Sequence, residues 1–103
     1  MKKYQLVVQF RMTSQTDFDR LTAFEDTLYK RLPPLGKVDG HDWGTGEFNI
    51  FILTDEPQET FDVVEQIRLI TSPEYDPIVA YRELLGEENV VLWPPGHRVF
   101  AIA

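Results

Sequence analysis

From Tyr4 to Met12 the chain alternates, with Tyr4, Leu6, Val8, Phe10 and Met12 on one side and Gln5, Val7, Gln9 and Arg11 on the other. A period of two predicts a half-buried strand. The polar stretch Thr13-Ser14-Gln15-Thr16 then supplies capping residues, with Thr16 or Asp17 as the cap and Asp17 and Asp19 suiting a helix N-terminus. Phe18, Leu21, Phe24 or Glu25, Leu28 and Leu32 follow with helical spacing. Lys30 and Arg31 close the last turn and Pro33-Pro34 stops it, so the first helix is expected over 17–32.

Residues 35–54 read as a hairpin, with arms Gly36–Trp43 and Glu47–Thr54 around Gly44-Thr45-Gly46. The second arm, Phe48-Asn49-Ile50-Phe51-Ile52-Leu53, has the aromatic and β-branched bias of an inner strand. Asp55-Glu56-Pro57 opens a second helix over about 57–71, whose apolar stripe is Phe61, Val64, Ile67 and Ile70 or Thr71, widened by Val63. Residues 77–84 read as a strand paired with Val90–Trp93 through Gly86-Glu87-Glu88-Asn89. The alternative is a short helix from Asp76 that ends at Gly86. After the turn Pro94-Pro95-Gly96, His97 to Ile102 are expected as a short final strand. Strand, helix, strand, strand, helix, strand, with one possible extra strand, is the ferredoxin-like α+β sandwich order, here a single domain over 1–103. Two helices would cover one sheet face and leave the other open.

Composition narrows what that face can do. At 103 residues the chain is one domain. No apolar run approaches the roughly 20 residues of a membrane span, and the start lacks a signal-peptide core, so neither membrane nor export is expected. The absence of cysteine excludes disulfides, a thiol nucleophile and a zinc–cysteine site. Seventeen acidic against ten basic residues give a net charge of -7, which disfavours nucleic acid and favours a basic protein partner or a cation. No phosphate-binding loop, dinucleotide fingerprint or nucleophile elbow is present, and no cofactor is indicated.

The hairpin holds the densest set of functional groups. A three-residue loop pairs Trp43 with Glu47, His41 with Asn49 and Asp39 with Phe51, while Val38 meets Ile52, Gly40 meets Ile50 and Asp42 meets Phe48. That register puts Asp39, His41, Trp43, Glu47 and Asn49 on the open face, joined by Arg11 and Gln9 of the first strand. Asp42 is then core-side and needs an edge or a bulge to reach water.

Such a group admits several chemistries. A carboxylate beside His41 can make it a general base, with Asp39 or Glu47 orienting the ring and Arg11 clamping an anionic substrate. Asp39, His41 and Glu47 can instead supply ligands to a divalent metal. An indole among polar groups is a platform for a partner or a ring-shaped ligand. Against these stands a plain structural role, since Asp and Gly are ordinary hairpin residues. His97, by the Pro-Pro-Gly turn, reads as a turn histidine.

The segment Val38-Asp39-Gly40-His41-Asp42-Trp43-Gly44-Thr45-Gly46-Glu47-Phe48-Asn49-Ile50-Phe51-Ile52 resembles one in small bacterial proteins. Those proteins share an aromatic-rich first strand like Tyr4–Phe10 and a Val-Leu-Trp-Pro tail like Val91–Pro94. The resemblance spans most of the chain and implies a bacterial, cytoplasmic, stand-alone domain. It brings no activity and no residue roles with it. The leading expectation is a non-enzymatic binding or regulatory module using the open face for a protein partner or small ligand. Self-association through that face or an edge strand is also expected, and the acid–base enzyme and the metal site are the rivals.

Overall fold

The computed structural model of the protein describes residues 2–96 and 100–102. Five strands and two helices follow in the order β1 (Tyr4–Arg11), α1 (Gln15–Arg31), β2 (Gly36–Gly44), β3 (Glu47–Thr54), α2 (Pro57–Thr71), β4 (Ile78–Glu83) and β5 (Val90–Trp93). The strands form one antiparallel sheet in the order β2-β3-β1-β4-β5. Residues 78–83 are thus strand, the reading preferred for 77–84, and not helix. Of the expected final strand, residues 97–99 lie outside the described ones, His97 among them, and 100–102 are irregular. Among the described residues no helix is long and apolar enough to cross a membrane.

Both helices lie on one face. Leu6, Val8 and Phe10 of β1 and Phe48, Ile50 and Ile52 of β3 meet Leu21, Phe24 and Leu28 of α1 and Phe61, Val64 and Ile67 of α2 in one buried cluster. Each such side chain contributes roughly 1.5–3 kcal/mol by leaving water. Ile70 departs from the expected stripe: it is 74% exposed, and Arg68 is buried on α2 instead. Arg68 is tolerated there because Nη2 donates to Glu65 at 2.8 Å and Nη1 to the Tyr75 carbonyl at 2.8 Å.

α1 begins at Gln15, two residues earlier than the periodicity predicts. Ser14 is the cap, its Oγ accepting from the Asp17 N–H at 3.1 Å. Asp17 sits three residues inside the helix and reaches back to accept from the Thr13 N–H at 2.9 Å. This reciprocal arrangement is close to a capping box and satisfies the Asp17 N–H at the helix start. Tyr75 adds a third bond, its hydroxyl donating to Asp17 at 2.8 Å.

The hairpin register differs from the expected one at its tip. Val38 faces Ile52 as expected, but beyond it His41 faces Ile50, Asp42 faces Asn49 and Trp43 faces Phe48. A bulge at Asp39–Gly40 inserts one residue, and Gly40 takes a φ of 104° there. The turn is correspondingly one residue shorter: Thr45 and Gly46 have φ values of 52° and 78°. Positive φ at both positions matches the right-handed twist of the flanking strands. Since side chains alternate, one inserted residue moves every tip side chain to the opposite face.

Thr45 occupies a region that is unfavourable by roughly 1–2 kcal/mol for an L-residue with a β-carbon, and more awkward still for a β-branched one. Asn is the residue such a turn prefers at this position. Replacing Thr45→Asn should therefore stabilise the fold by about 1 kcal/mol. A rise in the urea midpoint at unchanged slope would show it, and a fall would contradict the assigned turn.

Candidate functional site

The bulge divides the expected hairpin cluster between two faces. His41 and Trp43 point to the helix side, while Glu47, Asn49 and Asp42 share ladder rows with Gln9 and Arg11 on the other. Asp39 sits in the bulge and is exposed. The expectation that Asp39, His41, Trp43, Glu47 and Asn49 share the open face is therefore corrected. Asp42, which needed a bulge to escape the core, has one.

On the helix side, His41 Nδ1 lies 2.6 Å from Glu25 Oε1. The imidazole stacks on Phe48 with ring centroids 4.8 Å apart. Phe18 of α1 meets His41, Trp43 and Phe48 edge-on at 6.2, 5.5 and 5.9 Å. Glu25 is 4% exposed, and its second oxygen, Oε2, is buried without a hydrogen bond. The carboxylate that orients His41 is thus Glu25, not Asp39 or Glu47. Its signal lay in the sequence: an acid on the buried stripe of a helix needs a polar partner across the packing interface. Nearby, burial first, and then the charges of Glu25, Asp39 and Asp26, raise the Tyr29 phenol above its ordinary pKa.

The open face carries a polar row at one end. Arg11 lies opposite Glu47, and Gln9 opposite Asn49. Gln9 and Asn49 are 8% and 2% exposed, although no helix lies over them. Part of the cover is the chain's own tail: Gln9 Nε2 donates to the Ala101 carbonyl at 2.9 Å and to Glu47 Oε1 at 3.2 Å. Asn49 Oδ1 is buried with no hydrogen bond. Beside this row opens a cleft of about 530 Å3, lined by Gln9, Phe10, Arg11, Thr13, Thr45, Gly46, Glu47, Asp76 and Ile78. The Arg11 side chain has no hydrogen bond or ion pair among the described residues, whereas Asp76 lies 3.8 Å from Arg68. Asp76, Thr13 and Thr45 were not singled out by sequence reasoning, because only the folded sheet brings the loops after α2 and before α1 to the hairpin turn.

The metal reading loses its geometry. His41 and Glu47 stand on opposite faces, and among the described residues no three His, Cys, Asp or Glu side chains gather as a metal-binding group. No protein-family model matches the chain, and comparison with curated proteins and with solved structures finds no match.

Truncating His41→Ala would leave the Glu25 carboxylate buried with neither oxygen bonded, and should destabilise the fold by about 1–3 kcal/mol. Adding Glu25→Leu should restore most of that loss, because an apolar pair replaces a broken polar one. Urea unfolding of both variants checks this; a double variant no better than the single would contradict the pairing.

Asp17 supplies a pH dependence. The Thr13 backbone N–H, and after it the Tyr75 hydroxyl, hold its pKa below the ordinary 3.8. A carboxylate lowered on folding stabilises above its unfolded pKa, and that contribution fades as pH falls through the lower folded-state value. Asp17→Asn should be less stable than the natural chain at neutral pH, with the gap closing in acid below 3.8. Urea midpoints across the acid range read the gap; a gap independent of pH would count against the bonded carboxylate.

Proposed function

We propose that the chain is a binding or regulatory module that takes a small polar ligand at the end of its open sheet face. The observation that carries this reading is Arg11, which lines a cleft of about 530 Å3 and whose side chain has no partner among the described residues. A charged fork of donors on a concave wall is a recognition group for a carboxylate or similar anion. Glu47 and Asp76 line the same cleft. With a net charge of -7 they oppose a purely anionic ligand. The best complement is a small zwitterion, its anionic end toward Arg11 and its cationic end toward the carboxylates.

The scaffold we assign to this module is ferredoxin-like. What supports it is the inner strand order β2-β3-β1-β4 with a helix after β1 and another after β3; β5 is an addition outside β4. We further assign a bacterial, cytoplasmic setting, which rests on the hairpin's resemblance and the lack of cysteine.

A second reading, acid–base catalysis, is favoured by the 2.6 Å contact of His41 with Glu25. With Nδ1–H given to the carboxylate, Nε2 holds the lone pair of the neutral ring, the arrangement a general base needs. It ranks second because His41 lines neither the open-face cleft nor the groove beside Trp43.

Thermal unfolding with single free amino acids as probes tests the leading reading. A ligand present at a hundred times its Kd stabilises by about 2.7 kcal/mol. At least one amino acid should raise the Tm of the natural chain, and Arg11→Ala should abolish that shift. An equal response in the variant, or no response to any amino acid, would overturn the assignment.

A further inference from the structure

Around the β1–α1 connection from the cleft, with only Thr13 in common, lies a second concavity. It has a volume of about 330 Å3 and is lined by Met12, Thr13, Ser14, Gln15, Phe18 and Trp43. Trp43 is 59% exposed, yet its ring is held edge-on against Phe18 at 5.5 Å. An exposed indole that is nonetheless braced by a neighbour offers large contact area at little ordering cost, the mark of a binding anchor.

Charge decides what fits there. None of the six lining residues is basic. Two carboxylates bond directly to the lining: Asp19 Oδ1 accepts from Gln15 Nε2 at 3.0 Å, and Asp17 Oδ2 accepts from the Thr13 N–H at 2.9 Å. Asp17 is held below the usual carboxylate range by the Thr13 N–H first, so it stays ionised in mild acid. Together the two negative charges outweigh the roughly +0.5 charge of the α1 N-terminus. An indole face beside carboxylates is complementary to a cation placed over the ring.

We propose that the Trp43–Phe18–Met12 groove docks a basic segment of a partner protein, with an Arg or Lys side chain over the Trp43 indole and an apolar neighbour against Met12 and Phe18. A second copy of this chain is the poorer occupant, because it brings the same net charge of -7 and the same carboxylates to the contact. This surface goes beyond the small-ligand reading and stands or falls separately from it.

The test uses the intact chain and two short peptides, one alternating arginine with leucine and the other glutamate with leucine. The readout is the indole N–H resonance of Trp43, assigned by its loss in Trp43→Phe. The arginine peptide should shift that resonance and the glutamate peptide should not. Affinity for the arginine peptide should fall with added salt, fall about tenfold in Trp43→Ala and weaken in Asp19→Asn. Arg11→Ala should leave it unchanged, which separates this site from the cleft. The proposal is overturned if neither peptide shifts the resonance, if both shift it equally, or if it moves with protein concentration alone, which would mark self-association.

Discussion

One residue of slack at Asp39–Gly40 decides what each side of this sheet presents. The strand period is two, so a single inserted residue inverts everything beyond it. Below the bulge Val38 faces Ile52 and enters the core; above it His41 and Trp43 turn to the helices and Asp42 turns away. A polar residue placed core-side is worth a few kcal/mol of penalty. The bulge removes that penalty for Asp42 and brings His41 within bonding reach of the buried Glu25. The Thr45-Gly46 turn and the bulge are thus two halves of one adjustment. A three-residue loop with no bulge closes the same hairpin with the opposite faces.

The contact of Glu25 with His41 follows from that inversion. A carboxylate on the buried stripe of α1 has no water to bond, and the imidazole is what the inverted β2 delivers to it. Phe18 and Phe48 flank the imidazole, one edge-on and one stacked, while part of the ring stays open to water. Each aromatic pair of this kind adds about 0.5–1.5 kcal/mol beyond area burial. The remaining Glu25 oxygen has no bond. The same cluster braces Trp43, so the exposed indole and the His41 imidazole share one support in Phe18.

Much of the architecture was legible in the residues. The alternation of Tyr4–Met12, the stripe Leu21, Phe24, Leu28, the stop at Pro33-Pro34 and the aromatic run Phe48–Leu53 each correspond to an observed element. These are repeated signals, so a single exception does not erase them. The candidate site rested on a parity count, where one exception erases everything. Gly40 inside a strand was the available hint, since an isolated strand glycine marks a bulge or a close backbone approach. Asp42 in a core position was the second hint, and the two together locate the inserted residue. Nothing comparable marked the tail. Ala101 bonds to Gln9 across a face expected to be bare, and the alternation of residues 100–102 cannot say which surface they cross. Ile70 failed for a different reason: helical spacing admits it to the stripe, but beyond Ile67 the buried side of the chain continues through Arg68 and Ser72 and leaves Ile70 exposed.

The β1–α1 connection joins these features into one rigid unit. The Met12 N–H donates to the Gly46 carbonyl at 2.8 Å, which ties the connection to the hairpin turn. Thr13 is bonded to Asp17 through both its N–H and its hydroxyl, and Ser14 caps α1. Tyr75, from the loop after α2, closes the arrangement on Asp17. The hairpin turn and the loop after α2 thus converge on residues 12–17, and this stretch forms a wall of both concavities. A wall fixed before a ligand arrives spares the complex the ordering cost that flexible loops incur, roughly 0.5–1.5 kcal/mol for each side chain immobilised. The hairpin's glycines therefore act on recognition indirectly. They make the turn that accepts Met12 and the bulge that aims Trp43, and through those two placements they set the shape of both surfaces.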